Sequence, residues 1–362
     1  MNSVKNKMKI ILYIDVMYRG GAQRVMSILA NHLSKKHQVI LITDFMSADS
    51  SLEYEIHENV KRLFLKKDNK GNSIVKNVSR VRNLRKIVKD EKPDIILSFL
   101  GRPNIRMLLS TLGLKCKKIV SVRNDPKKEY GCSFFKKTMA NLIFLLADGC
   151  VFQTSDASKY FYKKTQKKSK IIFNPVDNKF YDIKPSENKK NIITVGRLEP
   201  QKNHKLLSDS FEKIHKEFPE DDLILYGDGS LREKLEDYVK VKKISHRVHF
   251  MGNIDSVENV LSDAKVFVLS SDYEGMPNAL MEAMAAGVAC ISTDCPCGGP
   301  KTLIQNENQG LLVSCNDITA LVSSLKKILS SDFQKIGINS RNRAKEFRTD
   351  KVLKEWNDYL FK

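Results

Sequence analysis

The residues best placed to do chemistry lie between Lys265 and Gly299, KVFVLSSDYEGMPNALMEAMAAGVACISTDCPCGG, where seven residues separate Glu274 from Glu282. A carboxylate accepts hydrogen bonds from hydroxyls, so two of them beside a phosphate site suit a sugar nucleotide. The intervening helix supplies that phosphate site. Pro277 and Asn278 stand where a helix starts and Gly287 where it ends, with Leu280, Ala283, Met284 and Gly287 on one apolar stripe. The first N–H groups of such a helix lack intrahelical partners and face an anion. Glu282 follows Asn278 by one turn and leans back toward the helix start, so both carboxylates can border one ligand. Taken alone, Glu282 also reads as a surface glutamate of an amphipathic helix.

Two cations belong to the same chemistry. The run Gly196-Arg197-Leu198-Glu199-Pro200-Gln201-Lys202-Asn203-His204 follows an apolar strand, which puts Arg197 and Lys202 on a strand-to-helix loop and Asn203 at the helix cap. A planar arginine fork and a lysine point charge together neutralise a diphosphate. Near the N-terminus, Gly20 and Gly21 stand between a strand and a helix and let a ligand approach backbone N–H groups. The spacing G-x-G-x-x-G is absent, which disfavours a dinucleotide.

These residues need a parallel sheet to hold them, and the chain supplies the pattern. Apolar strands are expected near Lys9–Asp15, Gln38–Thr43, Val60–Leu65, Asp94–Phe99, Lys118–Val122, Gly149–Gln153 and Lys170–Phe173, with amphipathic helices between. A polar stretch, DNKFYDIKPSENKK at Asp177 to Lys190, breaks the alternation. Strands resume near Ile192–Gly196, Leu223–Gly227, Val248–Gly252, Val266–Ser270, Val288–Ser292 and Gly310–Val313. Regular alternation predicts an α/β protein of two Rossmann-like, doubly wound parallel-sheet domains. The expected boundaries are residues 1–178, a linker at 179–190, residues 191–345, and a C-terminal helix at 346–362 carrying Trp356.

Charge separates the halves. Residues 1–180 hold 36 Lys+Arg against 15 Asp+Glu, and residues 181–362 hold 26 against 27, so the net +20 of the 362-residue chain belongs to the first half. An anionic partner is therefore expected there: an acidic membrane surface, a phosphorylated lipid or nucleic acid. No stretch approaches the roughly 20 consecutive apolar residues of a membrane-spanning helix. The opening MNSVKNKMKIILYIDV reads as a first strand, since its apolar run ends at Asp15 without a cleavage site. Seven cysteines, an odd number among apolar neighbours, suit a reducing compartment. Cys295 and Cys297 form a lone C-x-C, which reads as loop thiols more readily than as a metal site.

Gly196–Asn203, the glutamate pair in EGMPNALME, and Gly20-Gly21-Ala22-Gln23-Arg24 together resemble the retaining, nucleotide-sugar-dependent glycosyltransferases of family 4, group 1 type, which have GT-B architecture. The resemblance extends over nearly the whole chain, including Asn174-Pro175-Val176-Asp177 and a last helix near Trp356. It implies two domains facing a central cleft, with the C-terminal helix crossing back to the first. It further implies that Arg197 and Lys202 hold the donor diphosphate, Glu282 takes the ribose hydroxyls, and Glu274 lies beside the transferred sugar. Backbone at Gly275, Met276, Asn278 and Ala279 would line the donor, while Gly20 and Gly21 approach the phosphates from the first domain. No metal or other cofactor is implied. Many relatives carry a first-domain histidine near the sugar; Ser98-Phe99-Leu100-Gly101-Arg102-Pro103-Asn104 has none, so Arg123, in SVRNDP, becomes the candidate catalytic contact, or else a loop partner of Asp125. The loop Thr293 to Pro300 resembles a subgroup using UDP-linked N-acetylhexosamines or hexoses.

For the acceptor, two basic amphipathic segments offer Arg80, Arg82 and Arg85 in Ser73–Lys89, and Lys136 and Lys137 in Ser133–Ala147. The expected partners are thus a UDP-sugar donor, a polyprenyl-diphosphate-linked or polysaccharide acceptor, and an anionic membrane surface, with the protein peripheral on the cytoplasmic face and bacterial surface-glycan synthesis as its role. Two other readings fit less of the chain. A UDP-sugar epimerase would need no acceptor. A nucleic-acid-binding protein would explain the charge but not the neutral second half.

Overall fold

The computed structural model describes residues 7–18, 20–45, 53–65, 73–184, 186 and 189–362. Arg19 of the early glycine motif, and Pro185, Asn188 and Glu187 of the polar stretch, lie outside the described residues. The chain forms two compact units, one of residues 1–173 with 353–362 and the other of residues 174–352.

Seven strands build the first sheet: β1 (Lys9–Ile14), β2 (Gln38–Thr43), β3 (Val60–Phe64), β4 (Ile95–Phe99), β5 (Lys117–Ser121), β6 (Gly149–Phe152) and β7 (Ser169–Ile171). They are parallel and ordered β3-β2-β1-β4-β5-β6-β7. Helices cover both faces, which is why β1 and β4 are mostly apolar, with every residue from Ile10 to Ile14 and from Ile95 to Phe99 buried. The order reverses between β1 and β4, where the loops leaving the strand ends diverge.

The second sheet repeats the plan with six parallel strands: β8 (Lys190–Val195), β9 (Leu223–Tyr226), β10 (Val248–Gly252), β11 (Ala264–Leu269), β12 (Ala289–Thr293) and β13 (Leu311–Val313), ordered β10-β9-β8-β11-β12-β13. Ile192, Leu223, Leu225, Val266, Val268 and Ile291 of these strands pack with Leu207, Phe211, Leu321 and Leu325 of the flanking helices. Its reversal falls between β8 and β11.

The chain then returns to the first unit. In the Thr349–Leu360 helix, Trp356 and Leu360 are fully buried, and the Tyr359 hydroxyl accepts the Cys150 N–H at 2.8 Å. Gly149 leaves the room for it, since a Cβ there would stand 2.6 Å from that hydroxyl. All seven cysteines are free. Among the described residues no helix is long and apolar enough to cross a membrane.

Candidate active site

The loops leaving β8 and β11 flank the switch point of the second sheet, and hydrogen bonds lace them together. Ser270 Oγ donates to the Lys202 carbonyl at 2.9 Å, Gln201 Nε2 to the Tyr273 carbonyl at 2.8 Å, and the Asp272 N–H to the Gln201 carbonyl at 2.9 Å. Asn203 adopts left-handed backbone (φ 45, ψ 48), which this residue tolerates. Its Oδ1 accepts the Leu206 N–H as the expected cap, and its Nδ2 donates to Asp272 Oδ1 at 2.8 Å. The predicted cation and carboxylate loops thus form one fixed edge.

On that edge Lys202 Nζ reaches Glu274 Oε1 at 2.7 Å, and Ser271 Oγ donates to the same oxygen at 2.8 Å. Their side chains keep only 16% and 10% of their exposure, so the pair is largely out of bulk water. Arg197, by contrast, is exposed. Its carbonyl accepts from His204 Nε2 at 3.2 Å, and because a carbonyl only accepts, the ring proton sits on Nε2. Burial pushes the His204 pKa down to about 4 and keeps the ring neutral.

Glycines permit the close approach of these loops. Gly227 has φ +126, and a Cβ there would lie 2.1 Å from the Gly196 carbonyl oxygen; at Gly299 a Cβ would lie 1.8 Å from the Gly275 carbonyl oxygen. The first contact seats the Arg197 loop against the end of β9. The second seats the Glu274 loop against the turn after β12, giving Gly299 a packing role, while Gly298 precedes the Gly299–Leu303 helix in left-handed backbone (φ 68).

The Asn278–Ala285 helix opens after Pro277 with neither a side-chain cap nor an acidic residue in its first turn. That end suits an anion. Every residue from Leu280 to Ala286 is buried, Glu282 included at 5% exposure, so the surface-glutamate reading fails: the helix is covered all round. Met276 is buried and Ala279 half-buried. Asn174 clamps the helix start, its Nδ2 donating to Asn278 Oδ1 at 2.6 Å and to the Met276 carbonyl at 3.2 Å.

In the first unit, Gly20 is the extended cap of the Gly21–Ser34 helix, which likewise starts without a side-chain cap or an acid. Arg123 leaves the end of β5 and is buried, its guanidinium 4.2 Å over the Phe99 ring and 5.3 Å over Trp356. Burial lowers its pKa to about 9. Glu129 lies nearby and was not singled out by its sequence. The residue is half-buried as a whole, but among the described residues its Oε2 is out of solvent without a hydrogen bond. Burial raises its pKa to about 8, against a hydrogen bond from the Gly101 N–H and with help from the Asp15 charge.

The basic face expected on the Ser73–Glu91 helix is only partly available. Arg80 Nε lies 3.6 Å from Asp44 and its guanidinium 4.9 Å over Phe45, while Arg85 donates to the Ser110 and Leu112 carbonyls at 2.8 and 2.7 Å. Arg82 is exposed. Lys136 and Lys137 are both exposed at the start of the Phe134–Phe144 helix. Among the described residues no group of three His, Cys, Asp or Glu side chains is placed to hold a metal ion.

Two Rossmann-like units, one with cations, carboxylates and an open helix N-terminus at its switch point, make up a GT-B architecture. Residues 176–349 match the family described as glycosyl transferases group 1, and residues 19–180 match glycosyltransferase family 4. The GalNAc-alpha-(1->4)-GalNAc-alpha-(1->3)-diNAcBac-PP-undecaprenol alpha-1,4-N-acetyl-D-galactosaminyltransferase of Campylobacter jejuni is 31% identical over 360 residues, 96% of this chain and 97% of that one. The UDP-Gal:alpha-D-GlcNAc-diphosphoundecaprenol alpha-1,3-galactosyltransferase of Escherichia coli is 26% identical, covering 94% and 92%. Anabaena HepE in complex with UDP shares the fold at a TM-score of 0.82 and 15% identity, covering 98% of this chain and 100% of that one. The lipopolysaccharide outer core galactosyltransferase WaaB does so at 0.80 and 21%, covering 98% and 99%. The chain belongs to the group 1 glycosyltransferases of family 4.

Proposed function

We propose that the protein is a retaining, metal-independent glycosyltransferase that moves an N-acetylhexosamine or hexose from a UDP-sugar to a polyprenyl-diphosphate-linked glycan at the cytoplasmic membrane face. The observation that carries this reading is the Lys202–Glu274 pair, fixed on the same sheet edge as an uncapped helix that buries Glu282. Breaking the sugar–phosphate bond builds negative charge on the leaving diphosphate. Arg197, Lys202 and the N–H groups of Gly275, Met276, Asn278 and Ala279 stabilise that charge with little reorganisation, since the loops are already laced. Glu282 accepts from the ribose hydroxyls and Glu274 borders the transferred sugar. Two protein cations make a divalent ion unnecessary for the diphosphate.

The lipid-linked acceptor is supported by the undecaprenol-linked substrates in the names of the Campylobacter and Escherichia relatives. The experiment is a thermal-shift screen of nucleotide sugars followed by product analysis. UDP-sugars should raise the melting temperature by mass action, and transfer to a polyprenyl-diphosphate glycan should persist in EDTA and give an anomer of the donor's configuration. An inverted anomer, or transfer abolished by EDTA and restored by a divalent ion, overturns the mechanism.

A further inference from the structure

The Phe134–Phe144 helix is apolar on two faces. Its inner face buries Ala140, Asn141 and Phe144, with Phe144 stacked on Phe161 at 4.4 Å and edge-on to Tyr130 at 5.2 Å. Its outer face carries Phe135, Met139 and Leu142, spaced four and three residues apart so that they form one stripe. These stand 73%, 44% and 50% exposed, and Phe134 at the helix tip is 87% exposed. Among the described residues, Phe134 and Phe135 are the two most exposed aromatic side chains. A continuous apolar stripe of this kind marks a surface that something covers.

Lysines surround it. Between residues 126 and 168 the chain has nine lysines against three carboxylates, and Lys127, Lys128, Lys136, Lys137, Lys163 and Lys164 are all exposed. The Tyr162 N–H donates to Asn141 Oδ1 at 2.5 Å, which ties the start of the Lys163–Lys167 helix to the Phe134–Phe144 helix. Aromatic rings at a tip with a cationic rim match a lipid surface, where rings enter the headgroup boundary and ammonium groups meet phosphates. A second copy of the chain is disfavoured, because two such rims would repel.

We propose that the Phe134–Phe144 helix docks on an anionic bilayer, with Phe134 and Phe135 inserted at the headgroup boundary and the flanking lysines on lipid phosphates. The inference rests on the membrane partner of the proposed function and names a contact surface for it.

The test uses the full chain with phosphatidylcholine vesicles, with and without phosphatidylglycerol. Trp356, the single tryptophan, is fully buried, so Phe134→Trp reports the helix tip, and its emission should shift to the blue only with the anionic vesicles. Phe134→Ser/Phe135→Ser should weaken partitioning at least about tenfold. Lys136→Gln/Lys137→Gln should weaken it and flatten its salt dependence. Both double variants change exposed side chains, so the melting temperature and its response to UDP should stay at wild-type values. Absence of wild-type partitioning with an intact UDP response refutes the membrane partner and spares the donor site. Undiminished partitioning of Phe134→Ser/Phe135→Ser refutes the docking helix, and a concentration-dependent dimer lost in that variant assigns the stripe to a second copy.

Discussion

Lys202 Nζ stands 2.7 Å from Glu274 Oε1, so the cation assigned to the donor diphosphate is held in place by the carboxylate assigned to the sugar. Each charge is the other's counterion in a mostly dry site, and removing either leaves the survivor uncompensated. Lys202→Met should therefore lower both the melting temperature and kcat/KM, the latter by roughly 10²- to 10³-fold, as expected for loss of one donor to a developing anion. Glu274→Gln should lower stability as well. The double variant should regain stability and not activity, because its remaining groups are neutral. A double-mutant cycle in melting temperature and in kcat/KM separates the two effects; recovery of kcat/KM in the double variant would limit the pair to a structural role.

Gly227 tests how tightly the phosphate loop is seated. Alanine there meets both a positive φ and a carbonyl oxygen 2.1 Å from its Cβ, so the Gly196–Leu198 backbone must shift. The expected loss is roughly 1–3 kcal/mol of stability, read from the denaturant midpoint, with a parallel rise in the dissociation constant for UDP. If stability falls and UDP affinity does not, the seating of Gly196 is irrelevant to the donor.

That glycine also shows where the sequence stopped being informative. The strands and their alternation were legible because both faces of each sheet are covered, which leaves uninterrupted apolar runs such as KIILYI. The site's charged residues were legible because they cluster on loops after two such strands. Tyr226-Gly227-Asp228-Gly229 carried a signal, two glycines just past a strand, but nothing in the chain says which carbonyl they admit. Asn174 and Ser271 are short polar residues whose value is their reach to Met276, Asn278 and Glu274, and reach is a tertiary property. Burial of Glu282 was hidden for a related reason: the Asn278–Ala285 helix is covered on all sides, although its polar positions suggest a wet face. The partners of Arg80 and Arg85, Asp44 and two carbonyls, were hidden as well, since such pairing is invisible in a helix read by itself.

Glu129 makes stability depend on pH. Unfolded, its carboxyl titrates near 4.5; folded, burial raises that to about 8. Between those values the folded state holds a proton that the unfolded chain has released, so this stabilisation is complete below pH 4.5 and is lost as the pH rises through 8. The neighbouring Asp15, also raised by burial, acts in the same direction, while Asp125 and Tyr130 complete the set of groups around the carboxyl. Glu129→Gln keeps an acceptor for the Gly101 N–H and removes the ionisation. Its melting temperature should decline less than wild type between pH 5 and pH 8, and an unchanged slope would transfer the effect to Asp15.

Glu282 offers the sharpest test of the donor assignment, because its supposed ligand is a pair of hydroxyls that can be removed from the other side. A buried carboxylate 5% exposed gains from a hydroxyl that donates to it and loses when that hydroxyl is absent. Wild-type protein should therefore bind 2′-deoxy-UDP more weakly than UDP, by about tenfold, for a charged hydrogen bond of roughly 1.5 kcal/mol. In Glu282→Gln the penalty for the missing hydroxyl should shrink, and in Glu282→Ala it should vanish, with UDP binding itself weaker in both. Titration calorimetry of the three proteins against the two nucleotides measures the coupling directly. Equal deoxy penalties in all three would remove Glu282 from the ribose and leave it as a buried partner of its own helix.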